Sequence, residues 1–227
     1  MDRFRQLMLV VFASGAIAGL VLFAVQQFTV IPLIQTAETY EAAAQQAHLG
    51  LAHDDEGWQP ANGWERTSLT ALTTILTSIG FAAILFGLLA LTGTRINGWR
   101  GALWGLAAFV CFVLAPALGL PPQPPGAAVA GLYERQVWWA ATAVATATGL
   151  WLAAGRGRTW LARLGGLLCL ALPHMVGAPA ASEPSAVPAQ LVHRFAAASV
   201  ATNALFWLVL GAVGGLLSHR ATARSAT

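Results

Sequence analysis

Residues 161–178 read LARLGGLLCLALPHMVGA, and whether this stretch crosses a membrane decides the fold. It is short beside the roughly 20 apolar residues that a spanning helix uses, and Pro173 and His174 interrupt its end. Five other apolar runs, near 7–31, 68–91, 102–120, 137–154 and 196–217, need no such argument. Counting the doubtful run, near 161–178, gives six spans; omitting it gives five. Arginines separate the two, because basic residues collect in cytoplasmic loops. With six spans and a cytoplasmic N-terminus, Arg3, Arg5, Arg95, Arg100, Arg156, Arg158, Arg163, Arg220 and Arg224 lie inside, and only Arg66, Arg135 and Arg194 outside. Eight of the nine carboxylates also fall outside: Glu38, Glu41, Asp54, Asp55, Glu56, Glu65, Glu134 and Glu183. A five-span chain would leave Arg220 and Arg224 outside. The sequence therefore predicts an all-α, polytopic membrane helix bundle of six spans, with both termini cytoplasmic and residues 1–227 forming a single integral membrane domain.

Composition agrees with that class. The 227 residues are 57% hydrophobic and 9% charged, whereas a soluble domain carries about 25% charged residues. All twelve basic residues are Arg, which excludes a P-loop lysine and with it Walker-type ATP hydrolysis. Cys111 and Cys169 lie in apolar runs and read as packing residues rather than a disulfide or metal pair. The first run follows Arg3 and Arg5 as a signal peptide would, but its length reads as a retained anchor.

A repeat underlies the hydropathy. Trp64-Glu65-Arg66-Thr67, Tyr133-Glu134-Arg135-Gln136 and Val192-His193-Arg194-Phe195 each follow a Pro- or Gly-bearing stretch. Each also precedes a helix rich in small and hydroxyl residues: Thr73, Thr74, Thr77 and Ser78; Thr142, Thr146 and Thr148; Ser199, Thr202 and Asn203. The intervening spans open with small-xxx-small pairs at Gly15/Gly19, Gly101/Gly105 and Ala162/Gly166, and end near Pro32, Pro116 and Pro179. Three tandem helical hairpins describe this most economically. The hydroxyls admit two readings: close packing between helices, or the lining of a pore. Arginine at a helix start is disfavoured by the dipole, and pairing with Glu65 and Glu134 would offset that.

The candidate chemistry lies in two places. Pro32 to Arg66 covers 34 residues, while Pro179 to Arg194 covers only 15. The first outer loop, 35–67, is thus enlarged, and it holds His48 and the run His53-Asp54-Asp55-Glu56, with Glu38 and Glu41 upstream. Imidazole with carboxylate suits a borderline dication such as Co²⁺, Ni²⁺ or Zn²⁺; a solvated acidic loop is the alternative. His174 is the ionisable side chain set deep in an apolar run, beside Pro173 and Met175. Such a residue reads as a ligand on a path through a broken helix, or as a neutral His bonded to a neighbouring helix. The expected metal ligands are His48, His53, Asp54, Asp55, Glu56 and His174. No carboxylate lies within a span, so proton antiport is disfavoured. Inward movement of a dication needs no other source, since the membrane potential supplies about 2.3 kcal/mol per charge per 100 mV.

The chain resembles the CbtA family of probable cobalt transporter subunits along nearly its whole length. The likeness rests on Val30-Ile31-Pro32-Leu33-Ile34, Ala37-Glu38-Thr39-Tyr40-Glu41, Trp58-Gln59-Pro60-Ala61-Asn62-Gly63-Trp64-Glu65-Arg66-Thr67, Gly119-Leu120-Pro121-Pro122 to Gly126, Arg135-Gln136-Val137-Trp138-Trp139, Leu172-Pro173-His174 to Pro179, and Phe195 to Gly211. The resemblance implies a multi-pass subunit in a bacterial inner membrane, serving cobalt uptake for cobalamin biosynthesis beside a small single-span CbtB-like subunit. Family loops ahead of the tryptophan are often richer in His than this one, where only His48 and His53 stand. Cobalt or a similar divalent metal is then the transported ion, with no permanently bound cofactor. The expected partners are the lipid bilayer and the CbtB-like subunit, with a homo-oligomer left open and no nucleic acid. A competing class is a non-transporting scaffold or assembly protein of packed hairpins. An enzyme is not expected, because no nucleophile and base recur at a workable spacing.

Overall fold

The computed structural model describes residues 2–47, 60–94, 96–155, 157–181 and 185–224. Among them are seven helices and no strand: α1 (Asp2–Phe28), α2 (Ile31–Ala47), α3 (Trp64–Leu91), α4 (Gly98–Gly119), α5 (Leu132–Ala154), α6 (Trp160–Val176) and α7 (Ala189–Arg224). Five of them, α1, α3, α4, α5 and α7, are long and apolar enough to cross a membrane. The stretch that opened the question forms α6, apolar but of 17 residues, or about 25 Å in length. Thr159 starts it by accepting a hydrogen bond from the Ala162 N–H at 3.2 Å, and Gly177 ends it at φ 88°. The helix runs unbroken through Pro173, because a proline in the last turn withholds an N–H from one carbonyl only.

Three helix starts and the first outer loop differ from the hydropathy reading. Helices α3, α5 and α7 begin before their apolar runs, so Arg66, Arg135 and Arg194 stand on helices rather than in loops. First-turn acids explain the early start of α3 and α5, since Glu65 and Glu134 meet the positive end of the dipole. Within the stretch expected as an enlarged loop, residues up to Ala47 are helical as α2, which carries Glu38 and Glu41.

The chain divides into two compact units. The first comprises α1, α3, α4 as far as Leu106 and α7 from Thr202. Here Gly15 lies against the Ile79 backbone, and a methyl group at Gly19 would come within 2.9 Å of the Ile75 Cα. Gly101 and Gly105 meet Gly211 and the Trp207 carbonyl backbone to backbone. Without a hydrophobic drive between helices in lipid, such close approach is what holds them together. Phe206, Trp207 and Leu210 are buried, with the Phe81 ring 5.1 Å from that of Trp207.

The second unit comprises α2, α4 from Ala107, α5, α6 and α7 as far as Ala201. Helices α5 and α6 cross where Gly149 and Gly166 face one another's backbone. Helix α2 is seated by Ala37 and Leu33 against Val187, Leu191 and Val192. The loop after α4 turns at Gly126, φ 70°, where it passes Glu41.

Candidate functional site

Five of the six expected metal ligands, His48, His53, Asp54, Asp55 and Glu56, lie outside the described residues. The sixth, His174, sits in the last turn of α6 rather than mid-helix, and its side chain is exposed. Its ring meets Trp138 of α5 edge to face, with centroids 6.0 Å apart. Exposed Met175 and Val176 follow it. Among the described residues no three His, Cys, Asp or Glu side chains gather. His174 is therefore a single imidazole on an apolar rim.

Two of the buried hydroxyls of α3 and α5 bond within their own helices. Ser78 donates to the Thr74 carbonyl at 2.7 Å and Thr142 to the Trp138 carbonyl at 2.8 Å. Among the described residues, the buried side-chain atoms without a hydrogen bond are Gln27 Nε2, Trp138 Nε1 and Thr146 Oγ1. Two of these belong to α5, and with Thr142 they repeat every four residues, which puts Trp138, Thr142 and Thr146 on one helix face. Unsatisfied buried polar groups cost about 1–3 kcal/mol each, so this face has hydrogen-bonding capacity to offer.

Beside it the second unit contains a cleft of about 430 Å³ at the loop end of α4 and α5. Its wall is set by a break in helical register. Residues Val110–Leu114 of α4 form a π-turn, a feature that concentrates at functional sites. Pro116 follows, and α-helical geometry would ask its absent N–H to serve the Phe112 carbonyl. Trp139 of α5 serves it instead, its indole Nε1 donating at 3.2 Å while the rings stack at 6.2 Å. Phe112, Val113, Pro116 and Ala117 give the cleft an apolar wall, and Gln123, Arg135 and Gln136 give it a polar rim. Arg135 is half-buried, and its guanidinium makes no hydrogen bond or ion pair among the described residues. The pairing with Glu134 expected from sequence does not form, because that carboxylate folds back toward its own helix start at Gly131. Glu65 likewise turns to its helix start, accepting the Ala61 N–H at 3.4 Å, while Arg66 donates to Asn62 Oδ1 at 3.2 Å. Sequence reading missed this cleft. Its signal was Pro116 four residues after Phe112, but the partner Trp139 comes from a tertiary contact.

One family model, described as "Probable cobalt transporter subunit (CbtA)", matches residues 4–219. No curated protein and no solved structure matches the chain.

Proposed function

The chain belongs to the CbtA family, and from that premise we propose that it is the membrane subunit of a cobalt uptake system, one that gathers Co²⁺ outside and passes it inward. The family match across residues 4–219 carries this reading, and the long apolar helices support a multi-pass place in the membrane. In the proposed route six helices cross, α6 among them, in the inner membrane of a bacterium. His48, His53, Asp54, Asp55 and Glu56 form the gathering segment. Alternate crossings bring the His174 end of α6 to the same side of the membrane as that segment. One imidazole is too few ligands to retain a dication, which is what a step in conduction requires: entry must be favourable and exit easy. The hydroxyl oxygens of Thr142 and Thr146 on α5 then accept hydrogen bonds from the waters of a partly hydrated ion. Inward movement is driven by the membrane potential, and a small single-span CbtB-like subunit is the proposed partner.

Labelled Co²⁺ uptake into vesicles bearing this chain with its partner tests the route. Replacing both His48 and His53 by Ala should raise the half-saturating Co²⁺ concentration several-fold with the maximal rate little changed. His174→Ala should lower the maximal rate instead. Uptake indifferent to all three changes would remove the route, and uptake equal to that of empty vesicles would remove the transport function itself.

A further inference from the structure

We propose that the cleft between α4 and α5 is a binding site for an anionic phospholipid, with Arg135 as the ligand of its phosphate. Among the described residues that line it, Arg135 is the charged one, and none is His, Cys, Asp or Glu. A dication is thereby disfavoured as the occupant, since the guanidinium repels it and no described imidazole, thiolate or carboxylate ligates it. The volume of about 430 Å³ falls in the range of small-molecule sites, roughly 300–1,000 Å³. The guanidinium is half-buried and unpaired by any described acid. A partner of opposite charge is what it lacks among the described residues, and its planar fork matches a phosphate with two parallel hydrogen bonds.

The rest of the lining selects a lipid over a free anion. Phe112, Val113 and Ala117 belong to α4, one of the apolar helices long enough to span the bilayer, so the floor of the cleft lies on the hydrocarbon side of Arg135. Arg135 itself stands in the first turns of α5, where a spanning helix leaves the headgroup layer. A molecule filling both zones has a phosphate at one end and an acyl chain at the other. Gln123 and Gln136 at the rim offer hydrogen bonds to the glycerol or its substituent. This assignment depends on membrane embedding alone and stands apart from the cobalt reading.

Native mass spectrometry of the delipidated full-length protein in detergent tests it, with three probes: phosphatidylglycerol, diacylglycerol with the same chains, and glycerol phosphate. Phosphatidylglycerol should bind best, and Arg135→Gln should weaken it about tenfold, while Arg163→Gln, outside the cleft, leaves it unchanged. Ala117→Phe fills the apolar zone and should also weaken phosphatidylglycerol, with thermal unfolding showing that the fold is kept. Diacylglycerol binding as tightly as phosphatidylglycerol would overturn the role of the phosphate. Glycerol phosphate binding as tightly would reassign the cleft to a soluble anion and overturn the lipid. Phosphatidylglycerol affinity within about twofold of the wild type in both cleft variants would overturn the site.

Discussion

At Phe112 the backbone carries a carbonyl four residues before a proline that has no N–H to offer it, and an indole from α5 reaches it across the hairpin. The consequence is a coupling between two residues that do not touch in sequence. Trp139→Phe should cost about 1 kcal/mol, measured by unfolding in detergent. In a Pro116→Ala background, where residue 116 regains its N–H, the same change should cost distinctly less. Equal costs in the two backgrounds would show that the indole hydrogen bond has no energetic link to the proline. Pro116 was legible from sequence as a helix-ending residue; its effect on a carbonyl four residues earlier, and the side chain that answers it, depend on which helix lies alongside. His174 illustrates the same limit differently. Its residue type and apolar surroundings were readable, but its place in the last turn follows from where Thr159 and Gly177 set the ends of α6.

Between helices, adjacent glycines have opposite roles. Gly166 faces the Gly149 carbonyl, where an added Cβ would come within 2.7 Å, whereas Gly165 faces open space. Gly165→Ala should leave the hairpin intact or stabilise it by about 0.5–1 kcal/mol, while Gly166→Leu should separate α5 from α6 and cost several times as much. Comparable effects of the two changes, measured by unfolding, would mean that α5 and α6 do not pack as described. Gly211→Leu in α7 should be at least as damaging, because its neighbour is the Gly101 backbone rather than a movable side chain. The small-xxx-small spacing announced Gly15/Gly19, Gly101/Gly105 and Gly166 as contact points. Helix starts were harder to read, since hydropathy stops at the first charged residue, whereas Glu65 and Glu134 are stable in a first turn because of their charge.

For the chain as a whole, topology is the property on which the cobalt route depends. With Cys111 and Cys169 replaced by Ala, single cysteines at Thr94, Ala181 and Ser218 report the sides of three segments. In six crossings, a membrane-impermeant thiol reagent applied from outside should label only the cysteine at 181. Labelling at 218 instead would establish five crossings. Arginine distribution is the sequence's argument for six, a bias that belongs to the whole chain and needs no contacts. The candidate gathering residues, by contrast, were legible only as a composition, His and acid side by side. Nothing in local pattern fixes the mutual placement of ligands on a segment with no apolar periodicity.

Helix α6 also has a consequence for the lipid around it. At about 25 Å, its 17 residues fall short of a hydrocarbon layer of about 30 Å. Crossing as the proposed route has it, α6 would meet that difference as hydrophobic mismatch, which thinning of the adjacent leaflets toward Trp160 and His174 relieves. Such thinning would narrow the low-dielectric barrier beside the His174 imidazole. Cobalt uptake should accordingly be faster in vesicles of shorter-chain lipid and slower in thicker ones, so that the surrounding membrane, as well as the protein, sets the rate.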